Sequence, residues 1–319
     1  MDTPVIDICI PTFEPSPQHL AAALESLQKQ TFARWRAIVS DDPSKSSDTA
    51  SMIHPFLADP RFSFKRNQRR LGIGGNWNAC LKNGNSSFVA FLFQDDLWAP
   101  GYLQQAMEIL EKNSNVGFIS LGHEYFFEGD ISTKPTYLEL QELRSRDVRE
   151  GIHRGRDFLK WWIDRELHPN FIGEPSFVVI RRSALSAAGK FLKDMPQFLD
   201  VEYWTRLLTI CDWYNLRGNW GSFRVHPGGA SAVNQQSGQG LFDRLRCFER
   251  LIAVLDREDR TAAIQARNRA LEKMAQKFFG RLNKGSRIST KGSGVLRSFC
   301  IKHPILTTRI ALKAWKKRT

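Results

Sequence analysis

The chain has 319 residues, of which 42% are hydrophobic and 25% are charged, a balance typical of a globular protein with a substantial core. Its net charge is +13, but eleven Lys and Arg and no acid lie in residues 281–319, so residues 1–280 carry 13 less 11, or +2. This distribution argues against a broad nucleic-acid surface on the body of the protein, and five widely spaced cysteines without a C-x-x-C pair argue against a disulfide framework or a zinc site.

The first 121 residues alternate strand-like and helix-like segments. The predicted strands are 5–12, 35–42, 61–67, 88–93 and 116–121, and the predicted helices are 19–30, 47–58, 73–83 and 100–112. In the first helix, Leu20, Ala23, Leu24 and Leu27 share one face. Strands that alternate with crossover helices predict an α/β fold with a parallel sheet flanked by helices.

The pattern changes after residue 121. Residues 122–155 are polar and charged without a clear period, and we expect a loop-rich excursion there. Further on we predict a strand running into a helix at 173–185, a helix at 198–208 and a strand with a glycine-rich loop at 222–231. Residues 241–279 are predicted to be mostly helical, and the basic tail follows them.

Two pairs of adjacent acids follow predicted strands. Asp41 and Asp42 follow the second strand, and Asp95 and Asp96 follow the fourth, in the stretch FLFQDDLW. The carboxyl ends of parallel strands share one edge of the sheet, so we expect the four acids to converge there. A single Asp at such a place more commonly forms a turn or caps a helix, but two neighbouring carboxylates repel each other unless a cation lies between them. We therefore predict a binding cleft.

Five motifs in order resemble family 2 glycosyltransferases, which use nucleotide-sugar donors on the A-type glycosyltransferase fold. They are IPTFEP, QTFARWRAIVSDDPSKSSDT, NQRRLGIGGNWNACL, FLFQDDLWAPGYL and FLDVEYWTRLL. The resemblance implies a catalytic domain over 1–235, with a nucleotide-sugar-binding half at 1–121 and an acceptor-binding half at 122–235. A helical extension at 236–280 and the basic tail at 281–319 complete the predicted organisation.

The resemblance also implies site residues. The nucleotide-sugar contacts would be Pro11, Thr12, Phe13, Asp42, Arg70, Gly72, Asn78 and Asp95, with Asp42 bonded to the base and Asp95 on the ribose or phosphate side. Asp96 would be the direct metal ligand in a D-x-D-type motif, written here with Gln94 in place of the usual first acid or small residue. Asp200 falls where the family places its general base.

Chemistry supports these roles independently. Breaking the anomeric bond of a nucleotide sugar builds negative charge on the diphosphate, and Mn²⁺ or Mg²⁺ held by oxygen ligands neutralises it. An acceptor hydroxyl needs a base that takes its proton. One base without a second carboxyl nucleophile fits a single displacement, and therefore inversion.

Several alternatives stay open. Glu202 competes with Asp200 as the base, and its other interpretation is a solvated helix charge. His226 is either a third metal ligand, a phosphate contact or a structural histidine beside a turn. A non-catalytic nucleotide-sugar-binding adaptor on the same fold, or an RNA-binding protein that uses the basic tail, would be the rival functions, although Asp96 and Asp200 are both present.

The expected partners follow from this assignment. The donor would be a UDP-, dTDP- or GDP-sugar, and the acceptor a glycan or a lipid-linked glycan of cell-surface polysaccharide synthesis, without nucleic acid. The N-terminal stretch carries acids where a signal peptide carries bases, and no apolar run approaches the about 18 residues of a membrane span. We expect a cytoplasmic enzyme that lies peripherally on the anionic inner face of the membrane through its tail.

Overall fold

The computed structural model describes residues 3–130, 134–237, 243–283, 297, 300–301 and 304–316. The chain divides into two compact units. The first unit consists of Met1–Phe158, Asn170–Asp194 and Tyr203–Pro227, and the second of Leu159–Pro169, Met195–Glu202 and Gly228–Thr319.

The first unit contains a large mixed sheet. Its strands are β1 Ile6–Thr12, β2 Trp35–Asp41, β3 Phe62–Arg66, β4 Phe88–Phe91, β6 Val116–Leu121, β8 Gly151–His153, β9 Val178–Arg181 and β10 Asp212–Leu216. Their order is β3-β2-β1-β4-β9-β6-β10-β8, and all are parallel except β8 and β9, which run antiparallel to their neighbours. The predicted α/β fold with a mostly parallel sheet is confirmed.

A smaller sheet of three strands belongs to the same unit. It consists of β5 Leu97–Trp98, β7 Glu124–Phe127 and β11 Gly221–Val225. Strand β11 is central, antiparallel to β5 and parallel to β7. Because β5 follows the acids after β4, this small sheet brings residues from late in the chain to those acids.

Helices cover the strands and continue through the C-terminal part of the chain. They are α1 Pro17–Gln28, α2 Thr49–Ile53, α3 Ile73–Lys82, α4 Tyr102–Lys112, α5 Lys134–Asp147, α6 Gly155–Asp164, α7 Arg182–Ala188, α8 Leu199–Ile210, α9 Ala230–Ser237, α10 Asp243–Val254, α11 Arg257–Asn283 and α12 Pro304–Lys316, with short 3-10 turns at His54–Ala58 and Pro175–Phe177. None of them, within the part that the structure describes, combines the length and apolar character needed to cross a bilayer.

The first strand and helix show how the sequence builds this unit. The seven residues of β1, IDICIPT, are all buried, as in a central strand covered on both faces. Helix α1 begins after Ser16, whose side chain accepts the N–H of His19, and Pro17 occupies the first turn. The predicted apolar face of α1 is fully buried, at Leu20, Ala23, Leu24 and Leu27. Burial of each leucine contributes about 2 kcal/mol, so this face fixes the helix on the sheet.

The prediction of a loop-rich excursion at 122–155 is wrong. It contains β7, α5 and β8. Helix α5 has no buried residue, so it lacks the apolar period from which a helix is predicted. Strand β8 has only three residues, too few for an alternating pattern.

The second unit groups the C-terminal helices with two earlier segments. Lys160 lies 3.0 Å from Asp259, Lys273 lies 2.8 Å from Glu166, and Asp243 accepts the N–H of Gln197. These pairs explain why 159–169 and 195–202 belong with the C-terminal helices, and the predicted domain boundary at 235 stays a prediction. Within the basic tail at 281–319, the structure describes residues 281–283, 297 and 300–301 and helix α12. Helix α12 lies against α11.

Candidate active site

The carboxyl ends of three parallel strands lie side by side in the first unit. Strand β1 pairs with β2 on one side and with β4 on the other. Pro11 and Thr12 are its last two residues, and both are buried. The acid pair 41–42 ends β2, and the acid pair 95–96 follows β4, so the structure brings the four predicted acids to one edge of the sheet.

The carboxylate of Asp42 anchors the loop between β3 and α3. It accepts the N–H of Leu71 at 3.0 Å, the N–H of Gly72 at 2.8 Å and the side-chain amide of Asn67 at 2.9 Å. Gly72 has φ +75°, a conformation that residues with a side chain rarely adopt, so glycine is needed where the loop enters α3. Asp42 thus shapes the loop that carries Arg70, and its bond to a base stays a prediction.

Asp41 is buried and joins the ends of two strands. Thr12 Oγ1 donates to it at 2.9 Å, and Arg66 Nε lies 3.5 Å from its other oxygen. Burial raises the pKa of Asp41 in spite of these partners. Asn76 on α3 adds a second tie, because its amide donates to the carbonyls of Thr12 and Ser40. No sequence pattern singled out Asn76.

Phe13, predicted to lie against the base, is held from two sides. Gln94 Oε1 accepts the N–H of Phe13 at 2.9 Å, and Gln94 Nε2 donates to its carbonyl at 3.2 Å. The Arg70 guanidinium lies 3.9 Å from the centroid of the Phe13 ring, a cation–π contact. An ionised carboxylate has no proton to donate, so the amide of Gln94 makes a pair of bonds that an acid at this position would not.

Asn78 lies on α3 but contacts another loop. Its side-chain amide donates to the carbonyl of Phe191 at 2.8 Å, and its oxygen accepts the N–H of Phe191 at 3.0 Å. One turn earlier, Gly74 packs so closely that a Cβ there would lie 1.9 Å from the Leu192 carbonyl oxygen. The side chain of Asn78 therefore fixes the 191–192 segment, and its contact with a nucleotide stays a prediction.

Asp95 and His226 form a pair after β4. Asp95 Oδ2 lies 3.1 Å from His226 Nε2, and their side chains are 22% and 21% exposed. The hydrogen bond to Asp95 raises the pKa of His226. His226 directly follows β11, so the small sheet brings it to an acid that is 131 residues earlier in the chain.

Asp96 differs from the expectation of an accessible metal ligand. Its side chain is fully buried, and one of its oxygens accepts the N–H of Arg224 at 3.0 Å. Burial, followed by the neighbouring charge of Asp95, raises the pKa of Asp96 well above its usual range. Asp95 therefore presents the more accessible carboxylate of the motif. Asp96 accepts a hydrogen bond that joins the turn to β11.

The donors at this edge fit a divalent cation with few protein ligands. The Asp95 carboxylate and the His226 imidazole, which lie 3.1 Å apart in a hydrogen bond, are donor types that could hold a transition metal such as Mn²⁺. The described residues contain no group of three or more His, Cys, Asp or Glu arranged to hold a metal. Among the described residues, Asp95 and His226 are thus the two candidate ligand groups at this edge.

The two candidate bases lie in the first turn of α8 and in the second unit. Asp200 is half-buried, and its Oδ1 accepts the N–H of Val201 at 2.8 Å. Glu202 is buried, and its Oε1 accepts from Arg250 Nε at 3.0 Å. Glu202 is therefore a structural ion pair and not the solvated helix charge that we considered.

A second polar cluster was not predicted. Glu174 precedes β9 and lies 2.7 Å from His123 Nε2, and it accepts the hydroxyl of Tyr125 at 3.0 Å. Arg144 from α5 is 4.0 Å away. Burial alone would raise the pKa of Glu174, but His123 and Arg144 outweigh it and lower this pKa to about 2. The cluster assembles three separate segments, so no local spacing could have indicated it.

Known proteins resemble the part of the chain that carries this site. An uncharacterized protein of Mycobacterium tuberculosis (strain CDC 1551 / Oshkosh) is 30% identical over 205 residues, which are 64% of this chain and 62% of that protein. The Escherichia coli protein WfgD, named UDP-Glc:alpha-D-GlcNAc-diphosphoundecaprenol beta-1,3-glucosyltransferase, is 31% identical over 134 residues, 42% of this chain and 51% of WfgD. The chain thus spans less than two thirds of both relatives.

Two solved structures share the fold. S. aureus TarS 1–349 in complex with UDP-GlcNAc has a TM-score of 0.61 at 15% identity and covers 87% of this chain and 74% of its own. The mannosyltransferase PcManGT of Pyrobaculum calidifontis, in complex with GDP-Man and Mn²⁺, has a TM-score of 0.57 at 16% identity and covers 98% and 85%. At these identities the likeness shows the fold. The family description "Glycosyl transferase family 2" matches residues 7–185, more than half of the chain, and the chain belongs to that family.

Proposed function

We propose that this chain is a metal-dependent, inverting glycosyltransferase that transfers one sugar from a nucleotide diphosphate sugar to a lipid-linked glycan. The observation that carries the proposal is the Asp95–His226 pair at the edge where β1, β2 and β4 end. The nucleotide-sugar complexes of TarS and PcManGT and the lipid-linked substrate in the name of WfgD support it.

The donor would bind along this edge. Phe13 and Arg70 offer a ring and a guanidinium in contact with each other, a suitable surface for a base and a phosphate. Asp42 holds the loop of Arg70 through the N–H groups of Leu71 and Gly72. Asp42 therefore acts on the nucleotide through this loop, whether or not it also contacts the base.

Asp95 and His226 would hold Mn²⁺ or Mg²⁺. The bound ion would neutralise the charge that develops on the leaving diphosphate. A carboxylate oxygen and an imidazole nitrogen suit Mn²⁺ well, since imidazole binds transition metals and carboxylate also binds Mg²⁺. His226 would have to be deprotonated at Nε2 to act as a ligand.

Asp200 would take the proton of the acceptor hydroxyl. The pairing of Glu202 with Arg250 favours this choice, because it gives the buried Glu202 carboxylate a structural role in an ion pair. A single base, without a second carboxylate acting as nucleophile, corresponds to one displacement at the anomeric carbon and inversion of its configuration.

The acceptor would meet the enzyme at the cytoplasmic face of the membrane. Helix α12 exposes Ile305 and Leu312, by 85% and 53%, and Ile301 just before it by 72%. The spacing of seven residues places Ile305 and Leu312 on one side of α12, while Ile310 is buried. With eleven Lys and Arg and no acid in 281–319, this apolar side matches an anionic lipid surface.

The reaction is tested by incubating the protein with Mn²⁺ and a panel of UDP-, GDP- and dTDP-sugars. We expect one donor to raise the melting temperature only when the metal is present, and to be hydrolysed or transferred. Binding without any turnover on lipid-linked glycans would identify the protein as an adaptor. The absence of metal-dependent stabilisation by any donor would contradict the proposal.

The membrane contact has its own test. In the double variant Ile305→Asn and Leu312→Asn, we expect loss of co-sedimentation with vesicles that contain phosphatidylglycerol, and binding of the parent should weaken as salt rises. Val254→Asn is the matched control, since Val254 is 69% exposed in the same unit but lies on α10. Equal losses in both variants, or no binding by the parent at low salt, would contradict the membrane role.

A further inference from the structure

Arg224 holds the turn that contains both acids of the motif. Its backbone N–H donates to Asp96 Oδ1 at 3.0 Å, and its guanidinium Nε donates to the carbonyl of Asp95 at 3.1 Å. Strand β11 is thereby fastened to the end of β4 by a backbone and a side-chain bond. The side chain of Arg224 is only 12% exposed, so it stays close to the turn.

The Glu128 carboxylate contacts two side chains beside that turn, those of Arg224 and His19. Its Oε2 lies 3.3 Å from Arg224 Nη1 and 3.0 Å from Nε2 of His19 on α1. Glu128 follows β7, and α1 follows β1. One carboxylate oxygen thus links the small sheet to the first helix of the large sheet.

His19 in turn contacts the partner of Asp95. The rings of His19 and His226 are 5.5 Å apart and meet edge to face at 78°. One chain of contacts runs from Glu128 through His19 to His226. Another runs from Glu128 through Arg224 to the carbonyl of Asp95. Both members of the Asp95–His226 pair are therefore restrained by groups that Glu128 holds.

We propose that Glu128 is a positioning residue that keeps Asp95 and His226 at the separation needed to bind a divalent cation. The inference rests on the proposed function, because it concerns the metal pair of that site. Glu128 has no contact with either ligand among those that the structure describes, and so it acts through His19 and Arg224.

The negative charge of Glu128 supports the same role. The Arg224 guanidinium lies beside the carbonyl of Asp95, where a bound cation would meet another positive charge. A carboxylate 3.3 Å from that guanidinium offsets it. Groups that orient metal ligands typically change metal affinity by about ten- to a hundred-fold when they are removed.

The test compares Glu128→Gln with Glu124→Gln. Both acids belong to the β7 segment and contact β11 residues, but Glu124 accepts from Ser222 instead of Arg224. With UDP, GDP or dTDP present, Mn²⁺ binding is followed by electron paramagnetic resonance. We expect Glu128→Gln to raise the Kd for Mn²⁺ about ten- to a hundred-fold and Glu124→Gln to leave it unchanged, with equal urea midpoints for both. Equal Mn²⁺ affinities in the two variants would overturn the proposal.

The variant His19→Ala tests whether Glu128 acts on the metal pair through His19 or through a general change in charge. If His19 acts through Glu128, the double variant of both residues should bind Mn²⁺ no more weakly than Glu128→Gln alone. Full additivity of the two losses would also overturn the proposal.

A metal-free measurement keeps this inference distinct from the proposed function. In ¹H–¹⁵N spectra of the imidazole rings, Glu128→Gln should shift the signals of both His19 and His226, whereas Glu124→Gln should shift neither. A shift of His19 without His226 would overturn the positioning role even in a protein that binds no metal. Failure of the parent to bind Mn²⁺ with any nucleotide counts instead against the metal of the proposed function.

Discussion

Replacing each acid of the motif by its amide tests the proposal that Asp95, and not Asp96, is a metal ligand. Asp95→Asn removes a carboxylate that is 22% exposed and paired with His226. A partly exposed pair contributes about 1 kcal/mol or less, so the free energy of unfolding should change little. Loss of a direct anionic ligand should exceed the effect of losing an orienting group, so metal-dependent donor binding should weaken by at least about a hundred-fold, or about 2.8 kcal/mol.

Asp96→Asn should leave metal-dependent donor binding nearly unchanged. The amide oxygen still accepts the N–H of Arg224, and the substitution removes a carboxyl group whose charge is disfavoured by burial. We expect metal-dependent donor affinity within about three-fold of the parent and a free energy of unfolding within about 1.5 kcal/mol. Calorimetric titration with Mn²⁺ and the active nucleotide, together with urea unfolding, measures both. Intact binding in Asp95→Asn with lost binding in Asp96→Asn would refute the assignment.

Three further predictions follow from other parts of the structure. Asp200→Asn should lower turnover by roughly a hundred- to ten-thousand-fold with unchanged donor affinity, whereas Glu202→Gln should chiefly lower stability; the reverse pattern in steady-state kinetics would make Glu202 the base. Because the pKa of Glu174 is lowered from 4.5 to about 2, its carboxylate stabilises the fold at pH values above 4.5, and this contribution is lost as the pH falls towards 2. Glu174→Gln should therefore lower the free energy of unfolding by up to about 3 kcal/mol at pH 7. In urea titrations, the variant should also lose less stability than the parent between pH 5 and 3. Gly74→Ala should cost more than about 2 kcal/mol in urea unfolding, because its Cβ would meet the Leu192 carbonyl, while Gly101→Ala, with its nearest atom at 3.5 Å, should cost less than half as much.

The sequence predicted the sheet well because its strands are local features. The five strands expected in the first 121 residues lie within two residues of their predicted ends, since each is a short apolar run that a buried parallel strand requires. Helix α5 escaped prediction for the opposite reason, because none of its residues is buried.

The position of the acid pairs at the sheet edge was predicted, but their contacts were not. That the acids lie at the carboxyl edge follows from topology alone, whereas the choice between Asp95 and Asp96 depends on Arg224, 128 residues later. Glu174 and His123 are brought together by two strands whose pairing no local pattern encodes. Partners this distant in sequence become visible only when the sheet order is known.

The position of β9 constrains how this protein assembles during synthesis. Residues 178–181 pair with both β4 and β6, although those strands were made much earlier. Until β9 emerges from the ribosome, the centre of the sheet has two unpaired edges, and such edges readily pair with other chains. A fragment that ends at residue 121 would lack β9 and would leave β4 and β6 without this partner. A fragment meant to fold alone, or a chimera that exchanges donor specificity, must keep at least residues 1–181 in one piece.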